Sequence, residues 1–247
     1  EKTNADSYDE IKPIFIVGVP RCGSTLVEKI IASGSKLIPM GEETGIIENF
    51  VNKRILEKES LNLGSCLEIR KELRVLYQDR GLVLKKNDNI FTDKSLNNFF
   101  YLKLIKQIYP NAKIINCKRN ILSSIVSIFQ NNLIELAWTH NLNNILKYFD
   151  NYFKIIDNYD QEMPGTIYHL ELEKLTKEPE KESKKLMKFC GLPWDKKCLE
   201  FYKRKDLISK TASNIQIREA IYKHTLEKYL PYKKLLSEYG KKYSWFN

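Results

Sequence analysis

Pro13-Ile14-Phe15-Ile16-Val17-Gly18-Val19-Pro20-Arg21-Cys22-Gly23-Ser24-Thr25-Leu26 decides the fold. The apolar run Pro13–Val17 reads as a buried strand ending at Gly18. Thr25–Ser33 then sets Leu26, Ile30 and Ile31 on one face of a helix. Between them, Gly18 and Gly23 bound a G-x-x-x-x-G frame closed by Ser24 and Thr25. A loop of this kind between strand and helix turns successive backbone N–H groups toward an anion at the positive end of the helix. Ser24 stands where a nucleoside triphosphatase carries its phosphate-binding lysine, which argues against ATP or GTP hydrolysis.

Outward from this loop the pattern alternates. Helices are predicted at Glu43–Glu59, Leu67–Asp79, Phe99–Tyr109, Leu122–Asn131, Asn141–Tyr159, Pro179–Cys190 and Tyr232–Tyr239. Strands are predicted at Ile90–Thr92, Lys113–Cys117 and Thr166–His169. Strands alternating with helices imply an α/β fold, a P-loop-like parallel sheet flanked by helices. No repeat or linker divides the chain, so residues 11–240 are expected to form a single domain. Residues 1–10 read as an N-terminal extension or the remnant of a longer chain, because the sequence opens with Glu1 rather than Met.

Composition narrows the class. The 247 residues are 43% hydrophobic and 29% charged, the profile of a globular protein. Apolar runs fall well short of the roughly 18 residues of a membrane span, so no span is expected. The net charge of +10 comes from lysines spread along the chain, a solvated surface more than a nucleic-acid groove, and no nucleic-acid partner is expected. Five cysteines without a C-x-x-C pair, and three unclustered histidines, predict neither a structural metal nor a secreted disulfide scaffold. The expected location is cytoplasmic.

Three further stretches carry chemistry. At the end of a strand, Cys117-Lys118-Arg119-Asn120 precedes Ser127 by eight residues from Arg119, close to two helical turns, so guanidinium and hydroxyl can converge on one anion. Taken alone, Arg119 also fits a surface ion pair. Gly41-Glu42-Glu43-Thr44 precedes a helical stretch, where two carboxylates can serve as a base or simply complement a helix dipole. Thr92-Asp93-Lys94 follows a short strand, and Lys94 is either a placed cation or one more solvated lysine.

Taken in order, these motifs resemble the sulfotransferases, closest to the tyrosylprotein enzymes and to bacterial ones linked to tetratricopeptide repeats. The resemblance runs from about residue 13 to 236. It implies a donor, 3′-phosphoadenylyl sulfate (PAPS), a product, adenosine 3′,5′-bisphosphate (PAP), no metal, and a small-molecule, carbohydrate or peptide hydroxyl as acceptor. It implies donor contacts from Arg21, Cys22, Gly23, Ser24 and Thr25, and a 3′-phosphate held by Arg119 and Ser127. The family's base matches Glu43, with Glu42 as the neighbour that many bacterial relatives keep. Lys94, Arg21 and Ser213 would act on the transferring group. Asn214 shares the late loop with Ser213, Lys228 matches a later basic position, and Arg218 is added without a firm counterpart. A tetratricopeptide-repeat region would precede such a domain; the oligomeric state is left open. A P-loop-derived nucleotide kinase or a non-catalytic nucleotide-binding module is the alternative.

The sequence also departs from the family. Cys22 replaces the usual serine. Met40 and Thr92 stand where the Golgi enzymes pair two cysteines, and Leu172 where many relatives have a tyrosine facing adenine. Gly45, Glu48 and Asn49 occupy the region where the tyrosylprotein enzymes place arginines for acidic peptides, so acidic peptides are expected to be poor acceptors.

Overall fold

A computed structural model describes residues 11–56, 66–83, 89–131, 133–204, 206 and 229–246. Among the described residues, four parallel strands form a sheet: β1 (Lys12–Gly18), β2 (Ile90–Asp93), β3 (Lys113–Lys118) and β4 (Ile167–Glu171), in the order β2-β1-β3-β4. Ile14, Phe15, Ile16 and Val17 are all buried, as are Ile114 and Ile115. A central parallel strand is covered on both faces, so it reads as a continuous apolar run.

The helices are α1 (Ser24–Ala32), α2 (Ile46–Leu56), α3 (Cys66–Asp79), α4 (Leu102–Ile108), α5 (Ile121–Gln130), α6 (Leu142–Glu162), α7 (Leu172–Lys177), α8 (Pro179–Cys190) and α9 (Lys233–Gly240). This is the parallel α/β architecture expected from the sequence. Gly191 closes α8 in the left-handed conformation, as its place before Leu192-Pro193 predicts.

Three departures from the expected elements have local causes. The helix predicted from Glu43 begins only at Ile46, because Gly45 takes a left-handed φ of 64° and the Thr44 hydroxyl accepts the Ile46 N–H. Glu42 and Glu43 therefore lie ahead of the helix rather than in its first turn. The helix predicted from Phe99 opens as a 3-10 turn over Leu96–Tyr101 before α4. The sequence reading also missed α7, which follows β4 with no intervening turn residue.

Register sets the place of the site. Phe15 lies opposite Asp93 on one side of β1 and Ile114 on the other, and Gly18 lies opposite Cys117. The loop after β1 thus emerges between the end of β2, which leads to Lys94, and the end of β3, which leads to Arg119. Ligands of open parallel sheets bind at the carboxyl ends of the strands.

Candidate active site

The loop after β1 is a tight backbone cradle. Gly18 and Gly23 have φ of 153° and 92°, and Arg21 between them has 68°. A Cβ on Gly18 would come within 2.8 Å of both the Cys117 carbonyl oxygen and the Cys22 Sγ. On Gly23 it would meet the Leu172 side chain at 2.7 Å. The two glycines are therefore required both by backbone angle and by space. Leu172 supports the underside of the cradle and is buried there. No side chain caps α1 at Gly23, and the buried first turn of the helix, with Ser24 and Thr25, opens on the loop.

Three cationic or hydroxyl groups meet at Arg21. Its Nε donates to Ser127 Oγ on α5 at 3.1 Å, and its carbonyl accepts Arg119 Nη1 at 3.0 Å. Arg21 thus links both sequence-predicted residues, Arg119 through its carbonyl and Ser127 through its guanidinium. Burial lowers the pKa of both guanidinium groups, and Arg119 lowers that of Arg21 further. The buried Nε of Arg119 has no hydrogen-bond partner. A buried donor without an acceptor is costly, and an anion at the cradle would supply one.

On the other side of β1, Lys94 is fully buried and its Nζ reaches Glu43 Oε1 at 3.0 Å. The Glu43 side chain is 57% exposed, so this ion pair has one dry and one wet end. The Lys94 backbone N–H donates to the Glu42 carbonyl at 2.8 Å, which locks the two motifs together by main chain as well. Glu42 itself adopts a left-handed φ of 52°, unusual for a residue with a side chain. Gly41 packs so closely on β2 that a Cβ would lie 2.1 Å from the Thr92 carbonyl oxygen. Met40 and Thr92 pair in an isolated parallel bridge. The two positions are therefore neighbours, and hydrogen bonds from Thr92 take the place of a covalent staple.

Asp93 had no role in the sequence reading, yet it organises this half of the site. Its carboxylate accepts from Thr44 Oγ1 and Tyr77 OH at 2.8 Å each, from Ser95 N at 3.0 Å, from Ser95 Oγ at 2.7 Å and from Asn98 Nδ2 at 3.3 Å. All five partners are buried around it, so the carboxylate exchanges water for a full set of donors. The signal available in the sequence was a carboxylate directly before Lys94 at the end of an apolar strand.

Cys22 and Cys117 are buried together under the cradle, and all five cysteines are free thiols. The Cys117 thiol hydrogen-bonds to Cys22, which lowers the Cys22 pKa and raises that of Cys117. Lys94 also draws the Cys22 pKa down, which places its charge beside the loop. Ser213, Asn214, Arg218 and Lys228 lie outside the described residues. His140 is exposed at the end of a 3-10 turn over Ala137–His140, and no hydrogen bond ties it to the acid motif.

The sulfotransferase family pattern matches residues 13–196. This chain belongs to the sulfotransferase family. An uncharacterized Aquifex aeolicus protein is 34% identical over 250 residues, covering 96% of this chain and 33% of its own length. Protein-tyrosine sulfotransferase A of Caenorhabditis elegans is 26% identical over 212 residues, covering 78% of this chain and 54% of its own. The chain thus spans about a third and about half of these two relatives. The sulfotransferase domain of the Synechococcus olefin synthase superposes with a TM-score of 0.63 at 17% identity, covering 94% of this chain and 95% of that one. A mouse sulfotransferase complexed with PAP superposes at 0.54 and 14% identity, covering 98% and 90%. At such identities the likeness is one of fold, and it agrees with the parallel sheet described above. Nothing in these comparisons favours a nucleotide kinase. Among the described residues no helix is long and apolar enough to cross a membrane, and no three His, Cys, Asp or Glu side chains group as a metal site.

Proposed function

We propose that the chain moves a sulfuryl group from PAPS to an acceptor hydroxyl, releasing PAP and a sulfate ester. The observation that carries this reading is the meeting of Arg21, Arg119 and Ser127 at the cradle, with an unpartnered buried guanidinium nitrogen among them. The residues present fit an anionic donor of this kind. The backbone of residues 21–25 would hold its phosphosulfate, and Arg119 with Ser127 its 3′-phosphate. Ser213, Asn214, Arg218 and Lys228 complete the proposed donor contacts on the sequence argument alone.

When bound, PAPS supplies an activated sulfuryl group with a phosphate leaving group. Glu43 accepts the proton of the acceptor hydroxyl as that oxygen forms its bond to sulfur. Its contact with Lys94 supports Glu43 over Glu42 in this role, since the Glu42 backbone is held at both ends against the fold. Lys94 and Arg21 hold positive charge where negative charge gathers as the bond from sulfur to the leaving oxygen breaks. Nothing in this scheme requires a metal: positioning and fixed charge supply the catalysis. The acceptor is a small-molecule, carbohydrate or peptide hydroxyl. Five free thiols, and hydrogen bonds where the Golgi enzymes carry a disulfide, support a reducing, cytoplasmic setting. The Aquifex relative fits a bacterial source.

Thermal unfolding with PAP, beside ATP with and without Mg²⁺, tests the donor site directly. A rise in midpoint with PAP that does not depend on Mg²⁺ supports the proposal. A rise with Mg·ATP alone overturns it.

A further inference from the structure

The helix that opens on the cradle carries a carboxylate with no outlet to solvent. Glu28 lies one turn beyond Ser24 on α1 and is 0% exposed. A carboxylate in such a place is costly unless donors reach it. Two do, both on Oε1: the Thr92 hydroxyl at 2.7 Å and the Glu42 backbone N–H at 3.0 Å. Oε2 is buried without a partner.

These two donors belong to the two motifs that must meet the cradle. Thr92 lies on β2, two residues before Lys94, and its oxygen accepts the Gly41 N–H at 3.3 Å while its proton goes to Glu28. The Glu42 peptide carries the left-handed φ that turns the acid motif, and such a conformation persists only when its surroundings fix it. Its carbonyl is held by the Lys94 N–H, and Glu28 Oε1 accepts its N–H. We infer that Glu28 is a positioning residue: its carboxylate ties the helix of the donor loop to the Glu42 turn and to Thr92, and so fixes Glu43 and Lys94 against the cradle.

The charge around it agrees with that task. Burial pushes the Glu28 carboxyl up to about 7, against the pull of Lys94, the Thr92 hydroxyl and the Glu42 N–H, while the Glu42 carboxylate pushes the same way as burial. The Glu28 charge also helps to raise the Cys117 thiol on β3, behind the Cys22 hydrogen bond and burial. Only the kinetic part of the test below depends on the sulfuryl-transfer reading.

Glu28→Gln keeps an accepting oxygen and removes the charge, whereas Glu28→Ala keeps neither. Amide exchange measured by NMR on the full chain reads the turn without any substrate. Glu28→Ala should speed exchange at Glu42 by about tenfold or more relative to neighbouring core amides, and Glu28→Gln should restore it to within about threefold. With PAPS and 4-nitrophenol as acceptor, Glu28→Ala should lower kcat by about tenfold with KM for PAPS within about threefold, again rescued by Gln. A folded Glu28→Ala protein with wild-type exchange at Glu42 overturns the inference. Should that variant fail to fold, Thr92→Val removes one arm of the tie, and unchanged exchange at Gly41 and Glu42 overturns it equally. A wild-type protein that transfers no sulfuryl group sinks the activity proposal, and the exchange arm still decides the role of Glu28.

Discussion

Lys94 Nζ lies 3.0 Å from Glu43 Oε1, joining a lysine with no exposed side-chain surface to a carboxylate that is 57% exposed. The pair sits beside the backbone cradle after β1 and links two motifs 51 residues apart. A solvent-facing ion pair is worth little, and a lysine buried for stability alone would be better replaced by an apolar side chain. Its place makes sense if the ammonium is needed dry and close to a transferring group. Lys94→Ala should therefore cut turnover of PAPS with 4-nitrophenol by about 10²–10³. Glu43→Gln should cut it by about 10²–10⁴, and Glu42→Gln by much less. Turnover of Lys94→Ala within about threefold of wild type would remove Lys94 from the mechanism.

The Arg21 and Arg119 guanidinium groups, both pulled down in pKa by burial, form a site that an anion would relieve. PAP at a hundredfold over its Kd should stabilise by about 2.7 kcal/mol, a midpoint rise of roughly 5–11 °C for a chain of this size. Arg119→Ala should lose most of that rise while the ligand-free midpoint moves little. An undiminished rise would place the 3′-phosphate elsewhere.

Much of this arrangement is legible in the sequence. The strand, glycines and arginine of residues 13–25 are contiguous, so their geometry is local and the sequence carries it. Arg119 and Ser127 were legible because eight residues is nearly two helical turns. Glu28 was not, because its donors Glu42 and Thr92 lie 14 and 64 residues away, and Asp93 was not, because Tyr77 and Thr44 reach it from 16 and 49 residues away. A trace existed at Glu28: α1 is apolar for most of its nine residues and buried on nearly every side, so a charged side chain there had to find partners. The start of α2 was misplaced for a similar reason. Glu42 and Glu43 have the chemistry of a helix first turn, and the competing tie of Thr44 to Asp93 becomes visible only once β2 is in place.

Gly41 should tolerate no side chain. With a built Cβ only 2.1 Å from the Thr92 carbonyl oxygen, Gly41→Ala must push the acid motif away from β2. Strain of this kind costs about 1–3 kcal/mol, measured as a lower midpoint in urea unfolding. Gly81→Ala offers a comparison, because a Cβ there meets nothing within 4 Å and only its φ of 74° opposes the change. A larger loss at Gly81 than at Gly41 would contradict the close approach.

Stability should fall with pH on account of Glu28. Its carboxyl is raised from 4.5 to about 7 in the folded chain. Between those values the unfolded chain has already released the proton that the folded chain keeps. The contribution is therefore complete below about pH 4.5, declines as pH rises and is gone above about 7. At about 1.4 kcal/mol for each pH unit, the shift corresponds to about 3 kcal/mol. Urea unfolding of wild type and Glu28→Gln across pH 4.5–7.5 isolates it, because the variant lacks this titration. Parallel pH profiles for the two proteins would refute the burial of an ionisable group at this position.

Acidic tyrosine peptides should be poor acceptors. The residues just past the acid motif carry no cation: Gly45 needs its left-handed φ of 64°, which would strain an arginine, and Glu48 places a carboxylate in the first turn of α2. Glu48 bonds Asn97 Nδ2 at 3.4 Å and adds to the burial that raises the phenol pKa values of Tyr101 and Tyr148. An acidic peptide laid against Glu43 would meet this negative charge instead of the basic residues that such a substrate needs. At low ionic strength its kcat/KM should fall about tenfold below that of a neutral tyrosine peptide, and salt should narrow the gap as screening sets in. Glu48→Gln should narrow it as well, without affecting PAP binding. If the acidic peptide were the faster substrate at low salt, a cationic surface outside this region would have to bind it, and the inference from Gly45 and Glu48 would fail.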